Sequence, residues 1–177
     1  LKPPETALVP DGTEDGITLN HDGSATFVLH APYKKSVFLI GDFNDWKVDN
    51  DFLLNRTGGS EDEKWWITYS NFESDKVYRF QYIVDGNLRI ADPYSEFILE
   101  PEYTDALPKN VYQDQIQYPK HFTTFDVSVL DKRDNTYNWN TKSYQIAKPS
   151  ELNIYEALVR DFSFEHRFKS IIDSLDY

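Results

Sequence analysis

The sequence contains neither cysteine nor methionine. Without cysteine there is no thiol nucleophile, no disulfide framework and no thiolate zinc site, while cytoplasm, periplasm and cell surface all remain open. Without methionine, Leu1 is not an initiator, and the expectation is a fragment or a processed form of a longer protein. No run approaches the roughly 20 apolar residues of a membrane span, and Leu1-Lys2-Pro3-Pro4-Glu5 has nothing of a secretory leader. Basic charge is scarce as well. Lys plus Arg number 18 against 30 Asp plus Glu, and a formal charge of -12 repels phosphate backbones, which excludes nucleic acid as a partner. Helix signals are absent until the end of the chain.

Aromatic side chains, by contrast, are abundant. The 12 Tyr, 12 Phe and 4 Trp among 177 residues are too many for a disordered chain. A domain of this size removes roughly 70% of its unfolded surface from water, so neither a metal nor a disulfide is needed for stability, and no cofactor is expected.

From Ile17 onward, short β-branched and aromatic runs alternate with turn signals. Ile17–Leu19 and Ala25–Leu29 flank Asp22-Gly23, a tight hairpin turn. Ser36–Ile40, Trp65–Tyr69 and Val127–Leu130 read as further strands. Val77–Val84 alternates most cleanly, with Tyr78, Phe80, Tyr82 and Val84 on one face and Arg79 and Gln81 on the other. Asp85-Gly86 turns that strand into Leu88–Ile90, which ends at Asp92-Pro93. Trp65 and Trp66, being adjacent in a strand, must face opposite sides, so one of them belongs to the core or an interface. The pattern predicts an immunoglobulin-like antiparallel β-sandwich over 16–130, after an irregular arm at 1–15.

Residues 131–150 are polar and end in Lys148-Pro149-Ser150, the composition of a linker. The pattern then changes. Leu152–Val159 suits one strand, and Phe164, Phe168, Ile171, Ile172 and Leu175 share one helical stripe behind an N-cap at Ser163. One strand and one helix cannot bury their own apolar faces, so 151–177 reads as the first βα unit of a larger α/β domain. The stripe predicts a helix over 164–177 that is exposed, docked on a neighbour, or engaged in self-association.

The run Val37-Phe38-Leu39-Ile40-Gly41-Asp42-Phe43-Asn44-Asp45-Trp46 resembles the hallmark of the glycogen- and starch-binding modules of carbohydrate-binding module family forty-eight. Tyr82-Ile83-Val84-Asp85-Gly86 and Ala91-Asp92-Pro93-Tyr94 follow in the order of that family. Asn153 to Phe162 resembles the first barrel strand of glycoside hydrolase family thirteen, and Phe168 to Tyr177 resembles the helix behind it. Within that family the chain looks most like the α-amylase-related proteins of Bacteroides-type bacteria. The resemblance implies a sandwich followed by the opening strand and helix of an incomplete (β/α)8 barrel. It also implies an α-glucan (starch, glycogen or maltooligosaccharide) as partner, together with the remainder of the barrel. A periplasmic, cell-surface or secreted location is implied, with the cytoplasm left open. The parent enzyme would be retaining, with an Asp nucleophile, a Glu acid/base and a further Asp. All three lie beyond Tyr177 in the family, so the chain alone is expected to be non-catalytic.

Three residues carry the implied sugar contacts. Trp46 matches the stacking Trp of glycan-binding members, the alternative being that it caps the sandwich or packs on the barrel. Gln81 stands where those members have Lys, and Asn110 matches an Asn that bonds sugar hydroxyls. A second platform is lacking, because Leu88 stands where they carry another Trp. A dedicated glycan-binding module, or an immunoglobulin-like interaction domain without sugar chemistry, are the competing readings. No metal site is expected. Asp42, Asn44, Asp45, Asp49 and Asp51 lack calcium-loop spacing, and His21, His30, His121 and His166 are far apart. Glu156 and Asp161 read as structural, since a glycosidase needs its carboxyl pair across the sugar.

Overall fold

Asp22-Gly23 closes the first hairpin as its residue types require. Gly23 takes φ +86°, and Asp22 Oδ1 accepts from the Ser24 N–H and hydroxyl at 2.9 and 2.7 Å. The turn joins β1 (Gly16–Leu19) to β2 (Ala25–His30). The structure is a computed structural model that describes residues 2–59, 61–106, 108–109, 115–133, 138–141, 143 and 145–175. Two compact units emerge, one from Leu1–Ala106 with Ile116–Asp134, the other from Leu107–Gln115 with Asn135–Tyr177.

The first unit is a two-sheet antiparallel β-sandwich, as expected from the strand pattern. After β2 come β3 (Val37–Gly41), β4 (Asn55–Arg56), β5 (Lys64–Tyr69), β6 (Val77–Val84), β7 (Leu88–Ile90), β8 (Ile98–Leu99) and β9 (Val127–Asp131). One sheet runs β1-β2-β5-β4; the other runs β3-β6-β9-β8, with β7 also paired to β6. Two strands of two residues each, β4 and β8, have no sequence signal, being too short to show a period. In the amino-terminal arm Thr6 forms an isolated parallel bridge with Arg56, at the β4 edge.

The inner faces meet in a core of Ala25, Phe27, Leu29, Trp65, Phe80 and Tyr82, among others. Phe27 and Phe80 meet edge to face at 5.1 Å, and burying each ring stabilises the unit by about 1.5–3 kcal/mol. Trp65 is the core member of the tandem pair and donates its indole N–H to Ala31 O at 3.0 Å. Trp66 faces the other way and donates to Ala7 O at 3.0 Å, fastening the arm.

The alternation along β6 has an outcome that its period alone does not reveal. Its second face, carrying Arg79, Gln81 and Ile83, is also covered. Phe38, Ile40, Trp46, Ile83, Leu99, Tyr118, Val127 and Val129 form a second apolar cluster there. Sheet β3-β6-β9-β8 therefore has apolar clusters on both faces, the outer one built with the segment 116–126.

Asp92, two residues beyond β7, is 2% exposed. Its Oδ2 accepts from the Tyr82 hydroxyl at 3.1 Å and its Oδ1 from the Tyr94 N–H at 2.9 Å, while its own N–H donates to Ser128 Oγ at 2.7 Å. Burial raises the carboxyl above its ordinary range, against the pull of those hydrogen bonds, and burial also pushes the Tyr82 phenol well up. A raised folded-state pKa means the protonated form fits the fold better. The associated stability is complete below the ordinary carboxylate pKa and is lost as pH rises through the raised value. Asp92→Asn is accordingly expected to be more stable than the parent at pH 7, with the gap closing as pH falls toward about 4. Urea unfolding at the two pH values checks this, and a gap that widens on acidification would sink it.

In the second unit α1 (Val159–Phe162) and α2 (Phe168–Ile172) form. The strand expected over 152–159 is not formed, since a strand needs ladder partners and these residues have none among the described residues. The helix expected from Phe164 is reduced to α2, because a short helix is marginal without a surface to bury against. Ser163 is the C-cap of α1, not an N-cap. Phe164, Phe168, Ile172 and Leu175 are exposed and Ile171 is half-buried. No helix among the described residues is long and apolar enough to cross a membrane.

Candidate functional site

The turn after β3 positions Trp46. Asn44 folds back on the strand, accepting from the Gly41 N–H at 2.9 Å through Oδ1 and donating from Nδ2 to Leu39 O at 3.0 Å. Trp46 N–H returns to Gly41 O at 3.0 Å. The resulting loop is so tight that Asp45 and Trp46 both adopt left-handed backbone, at φ +54° and +60°. For residues with a Cβ this costs roughly 1–2 kcal/mol each, so the surroundings must over-determine it.

They do so through Asp42. Its Oδ2 accepts from the Arg79 N–H and Nε–H at 2.9 and 2.8 Å, and its Oδ1 accepts from Arg79 Nη2 at 2.9 Å and from the Trp46 indole at 3.1 Å. Arg79 Nη1 then donates to Gln117 O at 2.9 Å, tying in the segment that crosses the outer face of the sheet. That segment carries Phe122, whose ring stacks on Trp46 with centroids 5.6 Å apart and planes 11° from parallel.

Trp46 is 6% exposed in consequence. The ring is covered, with Phe122 lying over it, and presents no open indole face. Gln81 is buried as well. It sits where β6 changes partner, from β7 at Tyr82 to β9 at Phe80, and its buried amide fills the break in the ladder. Nε2 donates to Asp126 O at 2.7 Å and to Phe125 O at 3.3 Å, so the side chain supports the strap and reaches no solvent. Asn110 lies outside the described residues. Trp46 and Gln81 do share the outer face of one sheet, but beneath its surface.

Leu88 on β7 is half exposed. Opposite Val84, it shares the face directed at the first core, whereas its neighbour Arg89, opposite Ile83, belongs to the outer face. Sequence reasoning overlooked Arg89, Phe122 and Phe125, which line one hollow of about 310 Å³. The only signal was two phenylalanines just ahead of the last strand, in His121-Phe122-Thr123-Thr124-Phe125. Among the described residues no group of three or more His, Asp or Glu could hold a metal. Asp49 Oδ1 accepts from Asp51 N–H, an ordinary cap of a single helical turn at Asn50–Phe52.

No family model matches the chain. It is similar to 1,4-alpha-glucan branching enzymes. The enzyme of Lactiplantibacillus plantarum is 32% identical over 83 residues, which is 46% of this chain and 12% of that protein. The enzyme of Bacillus mycoides is 25% identical over 146 residues, 81% of this chain and 18% of that protein. The enzyme of Fusobacterium nucleatum subsp. nucleatum is 26% identical over 130 residues, 64% of this chain and 21% of that protein. The chain thus spans between 12% and 21% of the length of these relatives. It is a distant relative of glucan-active enzymes over part of its length.

Proposed function

We propose that the chain is a non-catalytic portion of an α-glucan-active enzyme of the α-amylase family, consisting of a family forty-eight-like sandwich, a linker and the opening of the catalytic barrel. The similarity to 1,4-alpha-glucan branching enzymes, reaching 81% of the chain in one case, carries this reading. The run Gly41 to Trp46 supports it, and so does the second unit, whose exposed Phe164, Phe168, Ile172 and Leu175 are an apolar surface that further barrel elements would cover. The sandwich braces the barrel and makes weak, single-site contact with α-glucan, with Kd near millimolar, about -4 kcal/mol.

Titrating the chain with maltoheptaose and following amide NMR shifts tests the glucan contact. Saturable shifts in the millimolar range are expected. Shifts absent at tens of millimolar would leave the sandwich as a brace only, and release of shorter glucans by the chain alone would overturn its non-catalytic assignment.

A further inference from the structure

We propose that the glucan-contacting surface of the sandwich is built by Phe122 and Phe125 with Arg89, on top of Trp46 and not by it. The proposal rests on the reading that the sandwich meets α-glucan, and it assigns the place and the residues.

Three observations converge. First, Phe122 and Phe125 keep about half of their surface open, at 49% and 51%, although both belong to a well-anchored segment. Phe122 N–H donates to Pro119 O at 2.9 Å, Phe122 O accepts from Arg89 Nη1 at 3.4 Å, and Phe125 O accepts from the Tyr118 hydroxyl at 2.7 Å. Phe122 also lies flat on Trp46, itself fixed by Asp42. An aromatic plane pinned in this way loses little freedom when a ligand stacks on it, which removes much of the usual cost of binding. Second, two hollows adjoin here, of about 310 and 410 Å³, and Arg89 and Phe125 line both. Each falls at the small end of ligand sites, and side by side they suit a chain of repeating units better than one compact molecule. Third, the lining is mixed. Thr124, Ser95 and Asp126 offer hydroxyl and carboxylate groups, and Arg89 offers guanidinium donors. A purely apolar patch would fit another protein surface. Flat rings edged by both donors and acceptors match a pyranose, which has an apolar C–H face and a rim of hydroxyls.

The sequence reading fits this displacement. Leu88 lies on the opposite face of the sheet from Arg89, while Gln81 is engaged with the segment 116–126 and Trp46 lies under Phe122. The strap that covers them brings its own rings to the surface.

The test is a maltoheptaose titration of the 177-residue chain by amide NMR, run beside Phe122→Leu, Phe125→Leu, Arg89→Gln and, as a control, Tyr33→Ala, an exposed ring away from both hollows. Leucine at 122 still covers Trp46 apolarly, and unchanged far-UV and near-UV spectra verify the fold. Shifts are expected at residues 89–92 and 120–126, with Kd raised about tenfold by loss of each ring and unchanged by Tyr33→Ala. If the parent saturates while Phe122→Leu and Phe125→Leu bind as tightly as it does, the assignment of the surface is overturned and the glucan reading survives. If the parent shows no saturation at tens of millimolar sugar, the glucan reading fails and the assignment fails with it.

Discussion

Gly41→Ala is expected to destabilise the sandwich by about 3 kcal/mol, the upper end of the usual cost of overpacking, lowering the melting temperature by on the order of 10 °C. The reason is space. Gly41 ends β3 opposite Phe80 of β6, and a Cβ built there would lie 2.4 Å from Arg79 O, 2.9 Å from Phe80 Cβ and 3.0 Å from Phe43 Cε1. The first of these is backbone and is already the acceptor for Asp42 N–H at 3.0 Å, so it cannot swing aside without opening the ladder. Gly86 provides the comparison. It has φ +78°, and a Cβ there would have nothing within 4 Å, so Gly86→Ala costs only the strain of left-handed backbone, about 1 kcal/mol. Thermal unfolding of the two variants separates the effects, and a larger loss in Gly86→Ala would refute the packing argument. Because Asp42 follows directly, Gly41→Ala is also expected to loosen Trp46, seen as a red-shifted indole emission.

How much of this was legible in the sequence depends on how local the determining interaction is. The β6 strand was readable from Tyr78, Phe80, Tyr82 and Val84, because period-two alternation is written within eight residues and the buried face confirms it. The hairpins at Asp22-Gly23 and Asp85-Gly86 were readable from turn chemistry alone. The opposite face of β6 was not. Gln81 is fully buried there because Phe125 O and Asp126 O, 44 and 45 residues away, accept its amide hydrogens, and no local pattern signals such a partner. Trp46 shows the same division: the motif placed it on a turn after β3, but its accessibility was decided by Phe122. The expected strand at 152–159 failed for the converse reason. Leu152–Val159 has a strand's composition, yet a strand's stability resides in its neighbours, and it has none among the described residues.

The loss expected from Asp42→Ala follows from the number of donors its carboxylate satisfies. Removing it leaves the Arg79 backbone N–H, two guanidinium donors and the Trp46 indole N–H without their acceptor. Breaking a fully buried pair costs about 3–5 kcal/mol, but the Arg79 and Asp42 side chains retain 27% and 20% exposure, so about 2–3 kcal/mol is expected after screening. Asp42→Asn should fall between, since its carbonyl oxygen still accepts from one donor while its NH2 group faces the guanidinium. Pairing Asp42→Ala with Arg79→Ala in a double-mutant cycle should give a coupling of about 1–2 kcal/mol, because each single change already strands the other group. A coupling near zero would mean that the contact is ornamental. The network also joins stability to the surface above it. Asp42 fixes Trp46, Trp46 underlies Phe122, and Arg79 fastens Gln117 of the same strap. On the proposal that Phe122 contacts glucan, Asp42→Ala is expected to weaken maltoheptaose binding by disordering Phe122, although Asp42 lines neither hollow. The temperature response separates a positioning role from a contact role: restoring order at low temperature should recover affinity in Asp42→Ala, and should recover none in Phe122→Leu, where the ring itself is gone.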